Sequence, residues 1–243
     1  VFVAEGDPVV ERAVRAGYEL LELLVDATRS QPLPAEVEAA LAASGASLYG
    51  AGPDVLYRIT GLGVHRGCIG VFRRRPLPVL GELLETSRRI LVLERVVNPI
   101  NLGVICRTAA GLGIDAVVLD DSSVDPLYRR SSRVAMGEVF DLRYCRAGRF
   151  PDGLEPVREA GFSLLGLTPA PDAESIDTLA FAPDERVALV LGSEGPGLTP
   201  DTQQVCDRRV VIPLAGTVDS LNVGAAAAIA CYVVTRGAAR PSS

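Results

Sequence analysis

Along most of this chain, short apolar runs alternate with stretches in which apolar positions recur every three or four residues, the signature of strands exchanging with amphipathic helices. Over 1–72 the pattern predicts strands at Val1–Ala4, Leu20–Val25, Ala46–Tyr49 and Cys68–Phe72, with helices starting at Asp7, Pro34 and Pro53. Asp7 is expected to cap the first helix, with Pro8 at its first position and Gly17 ending it. At 73–82 the sequence RRRPLPVLGE breaks the alternation. It reads as a linker, because each proline disfavours helix before it and cannot donate to a sheet. From 88 onward the strand signals strengthen: Ile90–Glu94, Ala116–Leu119, Phe162–Leu167, Val187–Leu191 and Val210–Ile212, with helices expected at Leu102–Leu112, Asp152–Ala160, Pro200–Cys206 and Leu221–Thr235. Strands this apolar suit a parallel sheet covered on both faces. The expected organisation is a small α/β domain over 1–75, a linker over 76–87 and a larger α/β domain over 88–243.

Composition narrows the function classes. A net charge of -6 argues against indiscriminate nucleic-acid binding, which needs local positive charge. It leaves room for two basic clusters, Arg73, Arg74 and Arg75, and Arg129, Arg130 and Arg133; each reads equally as a solvated surface or a phosphate contact. All 24 basic residues other than His65 are arginine, which fits genomic base composition. No apolar run reaches the ~18 residues of a membrane span. Five scattered cysteines without a C-x-x-C spacing point to reduced, packed thiols in a cytoplasmic protein, against disulfides or zinc. The chain opens on Val1 and its one methionine is Met136, as expected of a sequence trimmed at its N-terminus.

Three polar loops each follow an expected strand. The third, IPLAGTVDSLNVGAAAA (212–228), brings Thr217, Asp219, Ser220 and Asn222 to the carboxyl end of a buried strand, where open α/β sheets bind ligands. In the first, NPINLGVICRTAAGLG (98–113), Asn101 and Arg107 are six residues apart, about 600° around a helix, so they need not share a face. From spacing alone Asn101 reads as a helix cap and Arg107 as a surface or interface residue. In the second, LGSEGPGL (191–198), Gly192, Gly195 and Gly197 imply a tight loop whose amides approach a ligand. They match neither G-x-G-x-x-G nor a P-loop, which disfavours a nucleotide-dependent oxidoreductase. Glu194 reads equally as ordering that turn or as an acid/base group.

In this order and spacing, N-P-x-N-x-G-x-x-x-R-x-A, L-G-S-E-G-x-G-L and I-P-x-x-G-x-x-x-S-L-N-V-x-x-A resemble the three motifs of SpoU/TrmH-type RNA 2′-O-ribose methyltransferases, over residues 88–236. Residues 1–72 resemble the small ribosomal-protein-like RNA-binding domain that precedes the catalytic domain in many members. There the usual H-Q-G stands as His65-Arg66-Gly67, a departure that bears on RNA specificity. The resemblance implies a C-terminal α/β knot, in which the segment carrying the third motif is threaded through a loop, an arrangement general folding rules would not suggest. It implies S-adenosylmethionine as cofactor, held around Gly192, Ile212, Leu214 and Leu221. It gives Arg107 the central catalytic place with Asn101, Glu194, Ser220 and Asn222 around it, and a site completed across a homodimer. RNA contacts would fall to His65, Arg66, Arg129, Arg130 and Arg133. The partner implied is RNA, ribosomal before transfer RNA, with no membrane and no metal. A non-catalytic RNA-binding paralogue is the alternative; loss of Arg107 or Asn222 would favour it, and both are present.

Overall fold

The computed structural model describes residues 1–61, 67–216 and 218–236. In chain order its first elements are β1 (Phe2–Glu5), α1 (Asp7–Arg15), β2 (Leu20–Asp26), α2 (Ala35–Ser44), β3 (Ser47–Ala51), α3 (Pro53–Thr60), β4 (Ile69–Phe72), α4 (Leu80–Glu85), β5 (Arg89–Leu93), α5 (Pro99–Leu112) and β6 (Ala116–Leu119). There follow α6 (Arg129–Val134), β7 (Tyr144–Arg146), α7 (Glu155–Glu159), β8 (Ser163–Leu167), β9 (Glu174–Ser175), β10 (Val187–Leu191), α8 (Pro200–Val205), β11 (Arg208–Val211) and α9 (Val223–Thr235). They form two units, Val1–Pro76 with Pro126–Asp141, and Leu77–Asp125 with Leu142–Ser243.

In the first unit a four-stranded sheet runs β1-β4-β2-β3, with β4 antiparallel to both β1 and β2. Val9, Val10 and Ala13 recur at helical spacing and bury one face of α1. Phe2 packs against both Phe72 and Phe140, with ring centroids 5.4 Å apart in each pair, which ties residues 126–141 into this core. Arg133 Nη1 lies 3.1 Å and Arg129 Nε 3.6 Å from the carboxylate of Glu5, itself 5% exposed. Asp7 does not cap α1: Gly6 holds the cap position at φ 98°, where a side chain would be strained. The Asp7 carboxylate instead accepts the Cys68 amide at 2.7 Å and pairs with Arg29 at 3.1 Å. Burial alone would raise this carboxyl, but Arg29 and the Cys68 amide outweigh it and hold it below its usual range.

The second unit is built on a seven-stranded sheet ordered β7-β6-β5-β10-β8-β11-β9. Every pair in it is parallel, as the apolar runs predict. β5, β6 and β10 are buried along their whole length. The stretch expected as a linker carries α4, whose Leu83 and Leu84 join the buried cluster with Ile90, Val118 and Val190. All five cysteines are free, and burial pushes the Cys106 thiol up to about 12, so it stays unionised near neutrality.

Helices α5 and α9 pack closely because Gly224 faces Val104. A Cβ on Gly224 would stand 2.9 Å from Val104 Cγ1 and 3.1 Å from Asn222 Oδ1. Gly224→Ala gains about 1 kcal/mol of helix propensity, while overpacking costs about 1–3 kcal/mol. The expected outcome in urea denaturation is a net loss of up to about 2 kcal/mol. In a Val104→Ala background that loss is expected to fall by half or more; an equal loss in both backgrounds contradicts the packing account.

Candidate active site

Loops leaving the carboxyl ends of β5, β10 and β11 meet in the second unit. After β5, Arg95 adopts φ 56° with its amide held by Asp120 Oδ1 at 3.0 Å, and the Val96 amide is held by Ser123 Oγ at 3.0 Å. This turn delivers Asn98 as the cap of α5, its Oδ1 accepting the Ile100 amide at 2.9 Å, with Pro99 behind it. The cap is thus Asn98. Asn101 lies inside the helix, 6% exposed and facing inward.

After β10 the chain doubles back so tightly that a Cβ on Gly192 would come within 2.1 Å of the Gly197 carbonyl carbon. Gly195 and Gly197 take φ 86° and 70°, and Gly197 N–H donates to the Ser193 carbonyl at 3.0 Å. The loop carries Glu194 to the two asparagines. Asn101 Nδ2 donates to Glu194 Oε2 at 2.7 Å, and Asn222 Nδ2 donates to Glu194 Oε1 at 3.2 Å and to Asn101 Oδ1 at 3.0 Å. Asn222 also caps α9, its Oδ1 accepting the Gly224 amide at 2.9 Å. One residue from each loop therefore closes a hydrogen-bonded triangle.

A cavity of about 520 Å³ opens beside the triangle, within the usual size for small-molecule sites. Gly192, Glu194, Ile212, Leu214, Ser220 and Leu221 line it, as does Asp219. Asn101 and Asn222 are not in its wall but hold Glu194, which is. Arg107 is not in its wall either: it sits on the exposed side of α5 with Ile100 and Val104, consistent with the angular offset from Asn101. No hydrogen bond or ion pair of Arg107 is found among the described residues. The sequence reading missed Thr168 and Pro169, which enter the wall from the loop after β8. A Thr-Pro pair directly after the apolar run FSLLGL was the available signal.

The cavity's charged lining residues are both carboxylates, Glu194 and Asp219, with apolar groups around them. Such a wall suits a ligand with a flat apolar part and positive charge, and opposes a diphosphate. Of the other expected site residues, Arg129 and Arg133 pair with Glu5, and Arg130 is exposed. His65 and Arg66 lie outside the described residues, as does Thr217.

A parallel α/β unit with a ligand cavity over its strand ends, walled by a glycine-rich loop and a loop that caps the last helix, is a cofactor-binding unit of the open α/β type. The sequence profile of the SpoU rRNA Methylase family matches residues 88–232, and the chain belongs to that family. It is 41% identical, over 96% of its length and 80% of the relative's, to an uncharacterized tRNA/rRNA methyltransferase of Mycobacterium tuberculosis. It is 30% identical, over 95% of its length and 87% of the relative's, to the 23S rRNA (guanosine(2553)-2′-O)-methyltransferase RlmP of Bacillus subtilis. Among solved structures, an AdoMet-bound rRNA methyltransferase from Sinorhizobium meliloti superposes with a TM-score of 0.81 at 27% identity, covering 97% of this chain and 87% of that one.

Asn101→Asp tests the triangle. Two carboxylates would then face each other where an amide now donates at 2.7 Å, so one must titrate above its unfolded value. The variant is expected to lose about 1–3 kcal/mol at neutral pH and to approach wild type as the pH falls through the raised value toward about 4. A deficit that does not change with pH, measured by urea denaturation from pH 4 to 8, contradicts this placement.

Proposed function

We propose that the chain is an S-adenosylmethionine-dependent methyltransferase acting on a ribose 2′-hydroxyl of RNA, ribosomal RNA before transfer RNA. The observation that carries this reading is the cavity walled by the second and third motif loops, inside the stretch that matches the family. The fit of the cofactor is supported by the wall itself: backbone and apolar groups at Gly192, Ile212, Leu214 and Leu221 would hold it, with the carboxylates Glu194 and Asp219 suited to a sulfonium and an ammonium. When bound, that group supplies an already activated methyl. The chain's own task is to hold the acceptor hydroxyl in line and to polarise it.

A guanidinium stays protonated in proteins and is a poor base, so Arg107 binds the phosphate beside the acceptor ribose and polarises the hydroxyl. Ser220, exposed on the cavity rim, orients the ribose, while Asn101 and Asn222 hold Glu194 in its acceptor role. Exposure of Ile100 and Val104 on α5, and of Ile229 and Tyr232 on α9, supports a homodimer through these helices. Arg107 shares that outward face, which supports a site completed across the homodimer. With the family fold we also propose a C-terminal α/β knot, in which the segment carrying the third motif is threaded through a loop, and a small RNA-binding domain over 1–75, to which Arg129, Arg130 and Arg133 would add phosphate contacts. No helix among the described residues is long and apolar enough to cross a membrane.

Calorimetry tests the cofactor assignment: S-adenosylmethionine and S-adenosylhomocysteine are expected to bind and NAD(P) is not. Binding of neither methyl-donor species overturns it. Arg107→Ala is expected to lower methylation at least about 100-fold while cofactor affinity stays within about 3-fold of wild type. Equal loss of both contradicts the role given to Arg107.

A further inference from the structure

Glu94 directly follows β5 and is 2% exposed, yet no ion pair to it is found among the described residues. Its Oε2 accepts the Thr199 amide at 2.9 Å, and its Oε1 accepts the hydroxyls of Thr199 at 2.8 Å and Thr202 at 2.7 Å. Its own amide donates to the Leu191 carbonyl at 2.8 Å. Leu191 and Thr199 are the two ends of the glycine-rich loop. A single residue just past the neighbouring strand thus holds the entry of that loop through its backbone and the exit through its side chain.

A buried carboxylate without a cation carries a desolvation penalty, offset here by three donors. Helix α8 does not require it, because Thr199 Oγ1 already accepts the Thr202 amide at 3.3 Å. The loop does have a use for it. Its three glycines leave the backbone free to wander unless the ends are fixed, and five of its residues form cavity wall. We infer that Glu94 is a positioning residue that closes the base of loop 192–198 and so sets the cavity wall and the place of Glu194. The clamp stands on this geometry; its consequence for cofactor affinity rests on the function proposed above.

Hydrogen exchange of the Gly197 amide in ligand-free protein reads the clamp, and calorimetry with S-adenosylhomocysteine reads its consequence. In Glu94→Ala, Gly197 exchange is expected to rise about 10-fold and affinity to fall about 10-fold, the equivalent of ~1.4 kcal/mol. Glu94→Gln can accept from the Thr199 amide and donate to a hydroxyl, and is expected to restore most of both. Thr202→Val keeps both grips on the loop; it is expected to lower Tm yet leave exchange and affinity within about 2-fold. Should Glu94→Ala not fold, Thr199→Val removes one of the exit-side bonds together with the α8 cap and is read against Thr199→Ser, which keeps both. Unchanged Gly197 exchange in Glu94→Ala, or in Thr199→Val where that variant stands in for it, overturns the clamp, as does a loss of affinity that merely follows Tm across all the variants. Wild-type protein that binds no S-adenosylhomocysteine removes the cofactor reading instead, and the exchange measurement still decides the clamp.

Discussion

Three loops leave the strands β5, β10 and β11 of one parallel sheet, and side-chain hydrogen bonds centred on Glu194 tie them together. The carboxylate cannot be satisfied by its own loop; it takes one donor from the start of α5 and one from the cap of α9. Glu194 and Asn222 are exposed, so solvent screens these bonds, whereas Asn101 is buried and breaking its bond leaves a buried amide unpaired. That constraint fixes where α5 and α9 begin relative to the end of β10. Glu94 does for the base of the glycine-rich loop what the two asparagines do for its tip.

Much of this was legible in the sequence. Ala116–Leu119 and Val187–Leu191 occupy the spans their apolar runs predict, because strands buried on both faces leave an unbroken signal. β7 was not legible: three residues, Tyr144–Arg146, between arginines make too short a run to separate from a loop. α4 was hidden by the prolines before it, although Pro76 and Pro78 end ahead of the helix and leave Leu83 and Leu84 free to bury. Asp7 and Asn101 show a second kind of error. Each is a good cap by residue type, but Gly6 and Asn98 hold the cap positions and free both side chains for distant partners. A cap preference is local, whereas the bonds from Cys68 to Asp7 and from Asn101 to Glu194 span 61 and 93 residues.

For the candidate site, the three motif loops were legible as polar turns after apolar strands, and the structure brings their residues to one place. What the sequence could not convey is the division of labour. Gly192, Ile212, Leu214, Leu221, Glu194 and Ser220 face the cavity, Asn101 and Asn222 stand one bond away, and Arg107 faces outward. An offset of six residues on a helix carries part of that information, and only the packed sheet supplies the rest. The arginine pairs around Glu5 make the same point for the first unit: a cluster that reads as free positive charge is in part tied up by a buried carboxylate.

The central claim is that this chain moves a methyl group from S-adenosylmethionine to a ribose hydroxyl of RNA. The most direct test is incubation of the purified protein with methyl-labelled S-adenosylmethionine and unmodified ribosomal RNA, followed by alkaline hydrolysis. A methylated 2′-oxygen blocks cleavage of the adjoining phosphodiester, so the account predicts label in alkali-stable dinucleotides. Label in mononucleotides, which marks a methylated base, or no label in any RNA offered, would contradict it.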